Sequence, residues 1–428
     1  MKTFQQLCIV SALGFCCAAA NAAELKFVFG AGHAQAGCAL VTPQTAFDAQ
    51  RGYGFLGDAN AASNAPRVFA VDAGEGNFEV TLRFGDPKRA TSTTIKAESR
   101  RLMLLKVDTA PGEFATRTFT VHVRKPAIST GGVTALNSRE KGPPVVPDWD
   151  ELLTLEFNGK NPGVATLELK PAPEALTLFI AGDSTVTDQA REPYAGWGQM
   201  LPRFFRAGVA VSDQAESGLA LYSFEHQKRL AKILSMMKQG DYFFIQFGHN
   251  DQKDKSAGAG PFTTYKANLK KFIAAARAKG GIPVLVTPME RRRFEKDGKQ
   301  TATLSEYAEA VRQVGAEEKA PVIDLNAMSL KLYAALGPEK SKQAFVHYPA
   351  NTFPGQTKAL EDNTHHNAFG GYELARCVVE GIKANIPELA KHLVADAGAF
   401  DPTQPDAPEA LTIPASALTG APEKPAGN

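Results

Sequence analysis

The chain has 428 residues, 44% of them hydrophobic, which is ample for more than one buried core. Lys and Arg number 47 against 45 Asp and Glu, a formal charge of +2 that excludes any general pull toward nucleic acid or a membrane surface. Charge recognition, if present, must be local.

Residues 1–22 read as a secretory signal: Lys2, an apolar run from Leu7 to Ala19, then Ala20-Asn21-Ala22 as a small-x-small cleavage site before Ala23. This predicts a secreted or periplasmic protein. The apolar run is short for a membrane span and no later segment approaches the needed length, so no membrane contact is expected once the signal is removed. Two of the five cysteines then remain, Cys38 and Cys377. An oxidising compartment permits a bridge between them, and two buried free thiols are equally compatible with the spacing.

Residues 23–172 carry short alternating segments separated by Gly, Pro and Asn: "LKFVFG", "RVFAVDAG", "NFEVTLRFG", "RLMLLKVD", "RTFTVHVR", "LLTLEFNG" and "VATLELK". Alternation with β-branched and aromatic residues predicts half-buried strands, hence an antiparallel β-sandwich. After "KPAPEA" (170–175) the pattern changes. Over residues 173–393 the apolar strands "LTLFIAG", "VAVSDQ", "DYFFIQFG", "IPVLVTP" and "PVIDL" alternate with amphipathic helices such as "TYKANLKKFIAAARAKG" and "AFGGYELARCVVEGIKA". Strands apolar on both faces and joined by helices predict an α/β fold with a covered parallel sheet. The tail, 394–428, is rich in Pro and Ala and is expected to be disordered or extended over the surface.

In an open parallel sheet the loops leaving the strands' carboxyl ends share one edge, where ligands bind. Those loops read "GDSTV", "AESGLA", "GHND" and "TPMERRRF", and "EDNTHHN" precedes the last helix. This inventory suits acyl transfer. A serine hydroxyl becomes nucleophilic when a base takes its proton and a carboxylate orients that base. Ser184 is the candidate nucleophile, His365 the base and Asp362 its orienter; His366 competes with His365, and the DxxH spacing favours the latter. The backbone N–H groups of Ser184 and Gly218 and the amide of Asn250 can serve an oxyanion. His249 and Asp251 flank Asn250 as loop supports, with His249 also a candidate for substrate contact. Arg291, Arg292 and Arg293 are either a solvated charge run or carboxylate binders. Tyr194 and Trp197 are candidates for stacking on a sugar ring, Trp197 alternatively for packing at the start of its helix.

"GDST", the Gly of "ESG", "GHND" and "DNTH" resemble, in order, the four blocks of the SGNH (GDSL) hydrolases, specifically the rhamnogalacturonan acetylesterase branch. "YAGWGQML" and "HYPANTFPGQTKALEDNTHHN" are similar to that branch as well. The resemblance covers about residues 176–390. It implies a flavodoxin-like three-layer α/β/α domain, and hydrolysis of O-acetyl esters on a plant cell-wall polysaccharide, with Ser184, Gly218, Asn250, Asp362 and His365 in the family's roles. The chain departs from many relatives in Leu219 and Ala220 after the block-two Gly and in Asp213, often an Asn; the departures bear on substrate, not on hydrolysis. The first half resembles a galactose-binding-like jelly-roll sandwich through "RGYGF" and "VDAGEGNFEVTLRFGD".

Neither HExxH nor paired CxxC occurs, nor a P-loop or GxGxxG, so no metal and no cofactor are implied. The absence of GxSxG argues against the α/β-hydrolase fold. Two other readings stand beside the acetylesterase: an esterase or lipase acting on lipid or small-molecule esters, and an inactive carbohydrate-binding protein. The sequence leaves the oligomeric state open.

Overall fold

The computed structural model describes residues 24–30, 36–57, 65–141, 148–418 and 420–427. The signal-like residues 1–22 lie outside the described residues. Ten strands come first: β1 (Leu25–Phe29), β2 (Ala39–Val41), β3 (Tyr53–Leu56), β4 (Arg67–Asp72), β5 (Gly76–Phe84), β6 (Thr91–Ala97), β7 (Arg101–Thr109), β8 (Ala115–Val123), β9 (Leu152–Asn158) and β10 (Val164–Pro171). They form two five-stranded sheets, β2-β1-β10-β5-β8 and β3-β4-β9-β6-β7, paired antiparallel except for β1 with β2. Strand β5 shows the cause: Phe78, Val80, Leu82 and Phe84 are buried while the residues between them are not, so one face meets the core.

The turn joining β6 to β7 departs from the usual pattern. A hairpin tip normally faces water, yet Ser99, Arg100 and Arg101 are buried. Glu98 and Arg100 take left-handed backbone conformations, at φ 52° and 65°, that residues with a Cβ adopt at a cost of roughly 1–2 kcal/mol each. The tip is driven into the second half of the molecule.

There a parallel sheet runs in the order β12-β11-β13-β14-β15, formed by β11 (Leu176–Gly182), β12 (Val209–Asp213), β13 (Tyr242–Gln246), β14 (Ile282–Val286) and β15 (Val322–Ile323). The chain reverses direction across the sheet at β11, which places the ligand crevice at that strand's carboxyl end. Alternate side chains serve opposite layers. Leu178 and Ile180 of β11 pack with α1 (Trp197–Met200), through Leu332 and Tyr333 with a long helix at Leu325–Lys340, and through Leu374 and Val378 with another at Ala368–Asn385. Phe179 and Ala181 face the other way, against Phe224, Ile233, Phe272 and Val311. The result is the three-layer α/β/α arrangement with an extra β domain. Among the described residues no helix is long and apolar enough to cross a membrane. Cys38 and Cys377 are both free.

The polar segment "EDNTHHN" is a strand rather than a connection: β17 (Leu360–His366) pairs antiparallel with β16 (Phe345–Tyr348). Its register jumps, with Val346 opposite Asp362 and Phe345 opposite His366, so residues 363–365 bulge out of the ladder. A bulge of this kind re-aims a side chain, and here it carries His365.

Candidate active site

Ser184 stands where β11 ends. Asp183 caps the turn, its Oδ1 accepting from the Thr185 N–H at 3.0 Å and the Thr185 hydroxyl at 2.8 Å, while Val186 N and Thr187 N donate to its carbonyl. These bonds bend the chain sharply after the serine. His365 Nε2 lies 2.8 Å from Ser184 Oγ, and His365 Nδ1 lies 2.8 Å from Asp362 Oδ2. The other Asp362 oxygen accepts from the backbone N–H groups of Thr364 and His365, at 2.8 and 3.0 Å, so one carboxylate both shapes the bulge and orients the ring. Burial alone would raise the Asp362 pKa; the imidazole bond and the two backbone donors outweigh it and hold this carboxyl well below the usual carboxylate range. An ionised Asp362 accepts the Nδ1 proton, which leaves Nε2 as the acceptor for the serine hydroxyl.

Gly218 and Asn250 lie beside each other on the next two strand-end loops. Gly218 has φ 83°, a conformation that suits glycine. Asn250 donates from Nδ2 to Leu219 O at 3.0 Å, joining the second and third loops. An amide nitrogen carries two hydrogens, so this bond leaves one. Ser184 is 4% and Asn250 8% exposed. The C-terminal segment lies against Gly218 and Asn250: a methyl group added at Gly218 would come within 3.2 Å of Ala426 Cβ, and one added at Gly427 within 2.5 Å of Asn250 Oδ1.

His366 faces away from the serine, 2.8 Å from the Tyr333 hydroxyl, and burial pushes its imidazole down to about 3. His249 is 1% exposed, with Nδ1 3.4 Å from Asp183 Oδ2, and is packed against the nucleophile turn. Asp251 lies beside it and accepts from Leu221 N at 3.0 Å, and burial raises its carboxyl to about 7.

The three arginines separate. Arg292 is engaged by the protein: its guanidinium donates to Asn363 Oδ1 at 2.8 Å, Ser341 Oγ at 2.9 Å and the Pro338 carbonyl, and its backbone N–H donates to Asn363 O. It clamps the bulge of β17. Arg293 is exposed. Arg291 is half-buried and near enough to Asp183 and Asp362 to feel their charge. Trp197 is fully buried and donates to Gln246 Oε1 at 2.8 Å, so it packs and does not stack on a ligand. Tyr194, 2% exposed, stands edge-on to His365 with ring centres 5.9 Å apart.

Sequence reasoning missed Gln189. Its Nε2 donates to the Ser184 carbonyl at 2.6 Å and reaches Ser217 Oγ at 3.3 Å, tying the nucleophile turn to the residue before Gly218. Its position five residues after the serine was the one available signal.

Residues 180–368 match the GDSL-like Lipase/Acylhydrolase family. The rhamnogalacturonan acetylesterase RhgT of Bacillus subtilis (strain 168) is 43% identical over 225 residues, 52% of this chain and 96% of that protein. The probable rhamnogalacturonan acetylesterase YesY of the same organism is 35% identical over 209 residues, 48% of this chain and 92% of that one. A third Bacillus subtilis protein, the uncharacterized esterase YxiM, is 27% identical over 394 residues, 85% of this chain and 92% of its own. This chain is a carboxylic ester hydrolase and belongs to the GDSL-like lipase/acylhydrolase family.

Proposed function

We propose that the protein removes O-acetyl groups from plant cell-wall polysaccharide, with acetylated rhamnogalacturonan as its substrate, and that it works outside the cytoplasm, in the periplasm or after secretion. The observation that carries the chemistry is the unbroken relay of two 2.8 Å contacts from Ser184 Oγ through His365 to Asp362. The substrate assignment draws on the relatives named as rhamnogalacturonan acetylesterases, at 43% and 35% identity. In this reading His365 takes the hydroxyl proton as Ser184 Oγ attacks the acetyl carbonyl, and Asp362 stabilises the imidazolium. The oxyanion is held by the N–H groups of Ser184 and Gly218 and by the Asn250 amide. His365 then returns the proton to the departing sugar oxygen, and water releases acetate from the acyl-enzyme by the reverse sequence. Arg291, half-buried on the active edge, is the arginine of the three best placed to meet a uronate carboxylate.

Acetate release from acetylated pectin, xylan and chitin fragments tests the substrate, and pectin fragments should be hydrolysed fastest. Ser184→Ala should lower turnover of an aryl acetate by about 10⁴-fold or more while the fold is kept. Near-wild-type turnover in that variant would reject the mechanism, and preference for eight-carbon over two-carbon aryl esters would favour a lipid esterase instead.

A further inference from the structure

We infer that Arg100, supplied by the N-terminal sandwich, is a positioning residue for Ser184 and His365; the inference rests on the catalytic reading above. Arg100 is 3% exposed at the buried tip between β6 and β7. Its Nη1 donates to Gln189 O at 2.7 Å and to Tyr194 O at 3.0 Å, and its Nη2 lies 2.6 Å from Glu192 Oε2. Gln189 in turn holds the Ser184 carbonyl and Ser217, and Tyr194 flanks the His365 ring. One guanidinium therefore fixes both ends of the loop that sets the nucleophile against its base. Arg100 touches neither reacting group. Its left-handed backbone, unusual for a residue with a long side chain, is what aims the fork inward. Lysine cannot replace the fork, because a single ammonium lacks its planar spread of donors.

The test measures kcat and KM for an aryl acetate, normalised to active sites titrated with a serine-reactive phosphonate, in Arg100→Met, Arg100→Lys, Gln189→Leu and the double variant. Each single variant should lower kcat per titrated site by roughly 10-fold to 100-fold with KM within about twofold. The double variant should be no worse than the worse single one, since both act through the same loop. Unchanged kcat per site in Arg100→Lys and Gln189→Leu, or multiplicative losses in the double variant, would overturn the inference. Ser184→Ala run in parallel separates it from the underlying reading, which alone fails if that control keeps its rate.

A different observation carries a second proposal: we propose that residues 420–427 form an intramolecular strap that competes with substrate for the oxyanion site. Glu423 Oε2 lies 3.5 Å from Arg191 Nε, and Ala421 O accepts from Arg191 Nη1 at 3.2 Å. Pro425 is buried, and Ala426 and Gly427 pack directly on Gly218 and Asn250. Upstream, Ser416 N donates to Glu192 Oε1 and Ser416 Oγ to Glu156 Oε2, which moors the strap near the cleft. In this proposal the backbone at Ala426 and Gly427, which lies against the Cα side of Gly218 and Oδ1 of Asn250, occupies space that a substrate carbonyl needs to approach their N–H donors, and the segment leaves for each turnover.

A tethered competitor raises apparent KM and leaves kcat unchanged. Ending the chain after Leu418 should therefore lower KM for an aryl acetate by about tenfold or more at constant kcat, and Glu423→Lys, which sets like charges together at Arg191, should do so in part. The synthetic peptide GAPEKPAG added to the shortened protein should inhibit competitively. Unchanged KM in both variants, or a peptide without effect at millimolar concentration, would refute the strap.

Discussion

Asp362 carries two duties on one carboxylate, and its charge state makes them separable by pH. The bonds it accepts from His365 and from two backbone N–H groups keep it ionised far below the ordinary aspartate value of about 3.9. The acid limb of kcat/KM therefore cannot be its protonation and should have a midpoint above the carboxylate range. Asp362→Asn offers the imidazole a donor where it needs an acceptor, reverses the tautomer, and should lower kcat by about 10⁴-fold. The depressed pKa also adds stability that is present above the unfolded value of about 3.9 and is lost as pH falls toward the folded one. The melting-temperature gap between wild type and Asp362→Asn should therefore begin to narrow as pH falls below about 3.9 and remain partly open at pH 3, and thermal melts between pH 3 and pH 8 check it. At this scale the sequence was most informative: Ser184, His365 and Asp362 form one hydrogen-bonded relay, and the loop before Gly218 is tied to the nucleophile turn through Gln189, because strand-end loops of a parallel sheet converge by topology. Gln189 and Arg100 were hidden because the bonds that tie them to the site go to the backbone carbonyls of Ser184, Gln189 and Tyr194, which leave no residue-type signature.

At the scale of elements, hydrophobic period read the architecture where a buried face is apolar and failed where an element is short or its buried positions are polar. The seven segments with clear alternation are strands, whereas β2 and β3 are short and β6, "TSTTIKA", hides its pairing in threonines. The helix at Leu325–Lys340 is interrupted by Gly337 and Pro338, which blurred its period. Strand β17 escaped because its residues are chosen for bonds rather than for apolar packing. That choice makes Arg292 its fastening. Arg292→Ala frees Asn363 and Ser341 together, so the bulge bearing His365 should loosen and kcat for an aryl acetate fall by roughly tenfold, with little change in KM. Arg293→Ala, at an exposed neighbour, should stay within about twofold. Equal losses in the two would mean that the run acts through charge on the substrate and not as a clamp.

Across the whole molecule, the sandwich and the α/β layers are joined by buried charge. Arg101 is fully buried, with Nε 2.6 Å from Asp188 Oδ2 and Nη2 2.9 Å from Asp148 Oδ1. Arg124 completes the set, 2.6 Å from the other Asp148 oxygen and bonded to the Asp213 carbonyl. Asp148 and both arginines belong to the N-terminal half, whereas Asp188 lies four residues beyond the nucleophile. None of this was legible in the net charge of +2, because balanced charge gives no hint of which ions are taken out of water. Such a cluster is weak evidence of net stabilisation, since desolvation offsets the attraction, but removing Arg101 leaves two buried carboxylates sharing Arg124, which is 2.6 Å from Asp148 and 3.8 Å from Asp188. Arg101→Met should therefore cost about 3–5 kcal/mol. Breaking the exposed Lys26–Glu168 pair with Lys26→Met should leave stability nearly unchanged. Calorimetry distinguishes two outcomes. If the ionic seam couples the halves, wild type melts in one transition and Arg101→Met in two, the sandwich separating from the α/β layers; a single transition merely shifted downward would mean that Leu102 packed in the α/β core, Trp149 under Arg229 and Ser416 bonded to Glu156 and Glu192 couple the halves without it.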